Sequence, residues 1–306
     1  MNIVEKAAEK LKTLQPERAP PPPIEEVVPR HTTHTLERLQ ERMRPAEPQP
    51  TAEVAPPPWH VDERALQRAG LLPRDDDAGG RLADEVRRVK RPLLDNASGK
   101  GAKPLVHPER IAVTSAVPAE GKTFTAVNLA LSLAHEPDFE VLLVDADIPK
   151  SDITRILGLQ GRPGLMEVLT DERRRPADVI VHTDVPNLSV VPAGERHPLT
   201  AELFGGRRME YVLGELGGRG RPRLLVFDSS PLLATPESSL LAAHMGQVLM
   251  VVGAGHTRQH EVAAALEGLS ESQYVGLILN MSRLPAVENH YYSHYSQYSH
   301  YQFQDQ

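Results

Sequence analysis

Between Arg110 and Asn280 the chain repeats one pattern, in which apolar runs rich in β-branched residues alternate with helical periodicity. The runs read RIAVTS, VLLVDAD, LSVVPAG, RLLVFDS, QVLMVVGA and VGLILN, with one long connection between the second and third. Strands that are apolar along their whole length must be covered on both faces. Strand–helix alternation of this kind therefore predicts an α/β fold with a mainly parallel central sheet flanked by helices. Ligands in such sheets bind beyond the carboxyl ends of the strands, which is where the unusual polar residues of this sequence fall.

The first strand is followed by SAVPAEGKTF. Gly121, Lys122 and Thr123 supply the end of the G-x-x-x-x-G-K-[ST] phosphate loop, whose first glycine is Ala116 here. A strand before, a turn at Pro118 and an amphipathic helix after give the loop its context. Backbone N–H groups at the positive end of a helix suit phosphate. Gly121 permits close approach, Lys122 reaches the β- and γ-phosphates, and the Thr123 hydroxyl suits Mg²⁺. Pro118, Ala119, Glu120 and Phe124 complete the expected nucleotide cradle. The competing reading is a capped turn with a chance GKT.

The second strand ends VDADIPK, so Asp145 and Asp147 alternate off the same sheet edge. Carboxylates that close repel unless a cation or proton intervenes. Asp228 closes RLLVFDS in the position that governs Mg²⁺ and water in phosphoryl transfer. The competing reading is carboxylates that cap local turns. Asn280, at the end of the last strand, is placed either to contact a purine ring or simply to form a turn.

The rest of the chain is organised differently. Residues 1–15 open with an amphipathic helix over 2–14, a candidate docking element. Residues 16–60 form a proline-rich linker, and 12 of the 28 prolines lie between 16 and 58, a composition that favours extended chain. Residues 61–109 read as a helical region: a helix over 61–72 stopped at Gly70 and Pro73, a break at DDDAGG (75–80), and a helix over 81–94 ending near Pro92. The α/β domain spans 110–284. The tail, 285–306, carries five of the seven tyrosines, Tyr291, Tyr292, Tyr295, Tyr298 and Tyr301, among Ser, His and Gln.

Composition narrows the partners. A net charge of −7 gives no general electrostatic case for nucleic acid, and the absence of cysteine excludes thiol chemistry. The opening residues lack the apolar core of a signal peptide, and no apolar run approaches the length of a membrane span. A soluble chain is expected.

The ordered set SAVPAEGKT, LLVDADI, LLVFDSSPLL and a terminal tyrosine cluster resembles the bacterial tyrosine autokinases of polysaccharide export. EVRRVKR adds their E-x-x-R-x-x-R oligomerisation motif at Glu85, Arg88 and Arg91. RVKRPLLDNA and MNIVEKAAEKL look most like the autokinase subfamily associated with exosortase (PEP-CTERM) loci. The resemblance spans about residues 81–301. It implies a P-loop NTPase fold and ATP·Mg²⁺-dependent autophosphorylation of the tail tyrosines in trans, regulating exopolysaccharide polymerisation and export.

Carried over by position, Lys122 and Thr123 hold phosphates and metal, Asp145 activates the tyrosine hydroxyl or contacts the metal, Asp147 assists, and Asp228 orders Mg²⁺. The implied partners are further copies of the chain in a ring such as an octamer, a separate transmembrane chain-length-determinant activator, and a cognate tyrosine phosphatase. The implied location is cytoplasmic, peripheral at the inner membrane through that activator. Two departures from the family pattern are Ser230-Pro231, where Pro-Pro is common, and Met281, where lysine is frequent. The alternative is a non-kinase ATPase switch of the partition or septum-placement type. Val117, where those proteins carry a signature lysine, and the tyrosine cluster speak against it.

Overall fold

The computed structural model describes residues 57–73, 76–218 and 220–282. The expected helix at 2–14, nearly all of the proline-rich linker and the tail tyrosines lie outside these residues.

Among the described residues two helices precede the sheet: α1, Glu63–Arg68, and α2, Asp76–Ala97. The alternating core then runs β1 (Arg110–Ser115), α3 (Lys122–Ala134), β2 (Glu140–Ala146), α4 (Asp152–Ile156), α5 (Leu165–Thr170), a 3₁₀ turn (Pro176–Val179), β3 (Val181–His182) and β4 (Leu188–Val191). It continues through α6 (Thr200–Phe204), α7 (Arg207–Leu216), β5 (Arg223–Ser229), α8 (Pro236–Ala242), β6 (Gln247–Gly253), α9 (Gln259–Glu267) and β7 (Tyr274–Asn280). The sheet has seven strands in the order β3-β4-β2-β5-β1-β6-β7. Every pairing is parallel except β3 with β4. The expected α/β architecture is therefore present, and each of the six strands read from the sequence is found.

Alternation along the strands builds two cores. Val141 and Leu143 of β2 pack with α3 on one face, while Leu142, Val144 and Ala146 pack with α5 and α7 on the other. β7 is an edge, and its cover is incomplete. Met250 of β6 lies under α9 with Ala265, but its register partner Leu277 is 57% exposed and Leu279 is 63% exposed.

Three boundaries differ from the sequence reading. DDDAGG is not a break, because α2 begins at Asp76 and runs through both glycines. Nor does α2 end at Pro92; it continues to Ala97. Proline deletes one intrahelical hydrogen bond, but the turn beyond it is anchored. Leu93 is fully buried, Leu94 and Ala97 pack on the core, and buried Gln247 donates to the Leu93 carbonyl at 3.2 Å. Asn96 in turn donates to Gln247 at 2.8 Å. The linker also stops short of residue 60: Trp59 makes a parallel bridge to Thr183, and Val61, Leu66, Leu71 and Leu93 join the same core cluster as β1 and β2. Finally, β3 sits inside the long connection that carried no strand signal, being only two residues long.

Glu85, Arg88 and Arg91 all lie on α2 and are exposed. Among the described residues none of the three forms an ion pair.

Candidate active site

The phosphate loop leaves β1 at Ser115 and enters α3 at Lys122. Ala119 (φ 68°) and Gly121 (φ 91°) are in the left-handed region, where glycine is at home and alanine is strained. Ala116 is not, which explains why the first glycine of the pattern is dispensable here; its side chain packs beside Leu232 and Met250. Gly121 is required for space as well: a Cβ there would lie 2.1 Å from the Asn280 amide nitrogen. No side chain caps α3, so its first N–H groups are left for an anion.

Two residues hold the loop in shape, Glu120 from within it and Asn280 from the end of β7. Glu120 is fully buried. Its carboxylate accepts from the Val117 N–H at 2.7 Å, from the Gly253 N–H at 3.0 Å, and from the Thr257 hydroxyl. The Asn280 amide donates to the Glu120 carbonyl at 2.8 Å. The two residues expected to touch nucleotide thus engage their side chains with protein: Glu120 fastens the loop to the turn after β6, and Asn280 fastens it to the end of β7.

The acidic residues converge on the same edge. Asp145 and Asp228 are register partners on β2 and β5. Lys122, only 5% exposed, forms an ion pair with Asp147, whose second oxygen accepts from Ser230 at 2.7 Å. Burial alone would lower the Lys122 pKa. Asp228 and Asp147 beside it outweigh that and hold it above the usual lysine range.

Asp145 has one oxygen held twice, by the Thr154 N–H at 2.8 Å and the Thr154 hydroxyl at 2.7 Å. Its other oxygen, and both oxygens of Asp228, are buried with no hydrogen-bond partner. Burial pushes Asp145 up to about 6 against the pull of Thr154. Burial pushes Asp228 up to about 8 against the charge of Lys122, with Asp145 adding to the rise. The Thr123 hydroxyl favours the Asp228 carboxylate electrostatically but stays outside hydrogen-bond geometry.

Orphaned buried carboxylate oxygens are costly, and a divalent cation relieves that cost. The donor set fits Mg²⁺, which takes one or two carboxylates and completes its shell with phosphate and water. Among the described residues no group of three or more His, Cys, Asp or Glu could hold a metal.

The structure thus brings together Lys122, Thr123, Asp145, Asp147 and Asp228 beside the loop Pro118–Phe124. Sequence reasoning missed Thr154 and the role of Ser230. Ser230 had a signal, since it directly follows β5. Thr154 had none, because its partner lies nine residues back, around a turn that no motif describes.

No protein-family model matches the chain. It is 29% identical to the tyrosine-protein kinase YwqD of Bacillus subtilis over 197 residues, 64% of this chain and 78% of the relative. It is 28% identical to the tyrosine-protein kinase ptk of Acinetobacter johnsonii over 172 residues, 56% of this chain but only 23% of that longer protein. The solved kinase domain of the Escherichia coli tyrosine kinase ETK superposes with a TM-score of 0.53 at 27% identity, covering 58% of this chain and 69% of that one. By sequence and by fold, the homologues of this chain are bacterial tyrosine-protein kinases.

Proposed function

We propose that the chain is an ATP-dependent protein-tyrosine autokinase. The observation that carries the reading is the pair of buried carboxylates, Asp145 and Asp228, with unpartnered oxygens beside the phosphate-loop lysine. ATP binds with its phosphates at the start of α3. Lys122 leaves Asp147 to meet the β- and γ-phosphates. Mg²⁺, when bound, neutralises the charge that develops on the transferring group, and Thr123, Asp145 and Asp228 are the residues placed to hold it.

The acceptor is a tyrosine of the tail, one of Tyr291, Tyr292, Tyr295, Tyr298 and Tyr301, presented by a neighbouring copy. A phenol with a pKa near 10 is a poor nucleophile at neutral pH. Asp145 accepts its proton as the new bond to the γ-phosphorus forms and the β–γ bridging oxygen leaves with ADP. Asp147 assists by holding Lys122 before nucleotide binds.

The finer reading follows the family resemblance. The protein acts in exopolysaccharide polymerisation and export, in the subfamily associated with exosortase loci. It forms a ring, an octamer for example, through Glu85, Arg88 and Arg91. It is switched on by a separate transmembrane activator at the inner membrane and reset by a tyrosine phosphatase. In support, Glu85, Arg88 and Arg91 are exposed on α2.

The test is incubation of the protein with ATP and Mg²⁺, alone and with the activator's cytosolic segment, followed by mapping of phosphotyrosine by mass spectrometry. Phosphate on the tail, absent from Lys122→Met, is expected. ATP hydrolysis without phosphotyrosine would instead favour an ATPase switch.

A further inference from the structure

The segment ahead of α1 is fastened both to the sheet and to the active-site wall. Trp59 donates its N–H to the His182 carbonyl at 2.7 Å and accepts from the Asp184 N–H at 3.0 Å. Asp184 also grips the next two residues, through His60 Nδ1 at 2.5 Å and the Val61 N–H at 3.0 Å. Beyond them Val61, Leu66 and Leu71 are buried in the main core.

The Trp59 side chain reaches further. Its indole N–H donates to the Leu157 carbonyl at 2.9 Å, and the Arg162 guanidinium lies 5.1 Å from the ring centroid. Leu157 is the C-cap of α4. That helix is only five residues long, and it contains Thr154, whose N–H and hydroxyl hold Asp145. The hydroxyl is itself fixed by the Ala193 N–H at 2.9 Å. A second thread leaves the other end of the segment: the Asn128 amide donates to both Leu71 and Phe124 carbonyls at 2.8 Å, and Phe124 is in the first turn of the phosphate-loop helix.

We propose that residues 59–71 form a strap that sets the active site from outside it, with Trp59 as a positioning residue for the Asp145 carboxylate, acting through Leu157, α4 and Thr154. A five-residue helix has no interior of its own; its two ends are fixed by what they touch. Here the middle residue, Thr154, holds the Asp145 carboxylate, and the C-terminal end is pinned by the indole. The inference rests on the reading of this site as one for nucleotide and Mg²⁺.

Trp59 is the only tryptophan of the chain, so the strap carries its own reporter. The full chain is titrated with ADP, with and without Mg²⁺, while calorimetry measures binding and tryptophan emission is recorded. Emission is expected to change with ADP·Mg²⁺ and not with ADP alone. Trp59→Phe keeps a ring under Arg162 but removes the donor to Leu157. In that variant the Mg²⁺ concentration for half-maximal enhancement of ADP binding should rise several-fold, less than the roughly 10–100-fold that follows loss of a direct partner of a metal ligand. Its affinity for ADP alone should stay within about twofold of the parent. Thr154→Val should raise the Mg²⁺ requirement at least as far.

A general loss of structure would weaken both ADP affinities and lower the thermal midpoint together, and that result overturns the proposal. So does a Trp59→Phe protein with an unchanged Mg²⁺ requirement. Failure of the parent chain to bind ADP·Mg²⁺ at all overturns the nucleotide-site reading, and the strap with it. Binding with the expected Mg²⁺ shift but no phosphotyrosine sinks only the kinase assignment.

Discussion

Asp145 and Asp228 stand directly opposite each other on neighbouring parallel strands, about 4.8 Å apart by the spacing of a sheet, and three of their four oxygens are buried without a hydrogen bond. Burial raises both pKa values, to about 6 and about 8, with the charges of Asp147 and Asp152 adding to the first and those of Asp145 and Asp147 to the second. The nucleotide-free protein is therefore held back at the very place where Mg²⁺ would bind.

The first consequence is a pH dependence with a definite sign. A carboxyl whose folded pKa lies above its unfolded value binds its proton more tightly when folded. The two groups therefore cost no stability below pH about 4, and the cost grows as pH rises to about 8 and is constant above it. Asp228→Asn removes the larger share. Calorimetry at pH 8 should show its thermal midpoint above the parent's by roughly 5 °C, at about 2–4 °C per kcal/mol, while phosphotyrosine formation is lost.

Mg²⁺ must displace the same protons. Its half-saturating concentration in the presence of ADP should fall by up to about tenfold between pH 7 and pH 8, one proton per metal, and level off above. A flat profile across that interval would show that Asp228 is not a ligand.

Lys122 and Asp147 form a buried pair, and removal of one partner strands the other. Lys122→Met should destabilise by about 3 kcal/mol, reduced by the hydrogen bond that Ser230 still gives Asp147. Adding Asp147→Asn should restore most of that stability without restoring activity. Urea unfolding of the two singles and the double measures the coupling.

Glu120→Gln tests the clasp on the phosphate loop. The carboxylate takes three donors, and an amide NH₂ must face at least one of them. A loss of about 1–3 kcal/mol follows from the unmade bond. Because the loop changes shape, ADP affinity should drop roughly tenfold with it.

Charge on the tail gives a further expectation. Each phosphate adds about −1.5 to −2, so five modified tyrosines would more than double the net charge of −7. If Arg88 and Arg91 make the contacts between copies, phosphorylated protein should sediment as a smaller species than dephosphorylated protein. Equal sedimentation would sever tail charge from assembly.

Much of this was legible in the sequence because it depends on local order. Strand ends place Asp145, Asp147 and Asp228, and a strand–turn–helix places Lys122, whatever the remainder does. What was not legible depends on contacts between distant segments. Pro92 reads as a helix end until Gln247 is known to sit under the next turn. Asn280 reads as a purine contact or a turn residue until the Glu120 carbonyl is found within reach. Trp59 reads as the end of a linker because its partners, Leu157 and His182, are about 100 residues and more away. β3 is too short for periodicity to register.

The open side of β7 has a practical cost. Leu277 and Leu279 face solvent along an outermost strand whose free backbone groups can pair with another chain. A preparation of this protein cut back to its α/β core would therefore meet its copies edge to edge, and concentration, rather than heat, would set its shelf life.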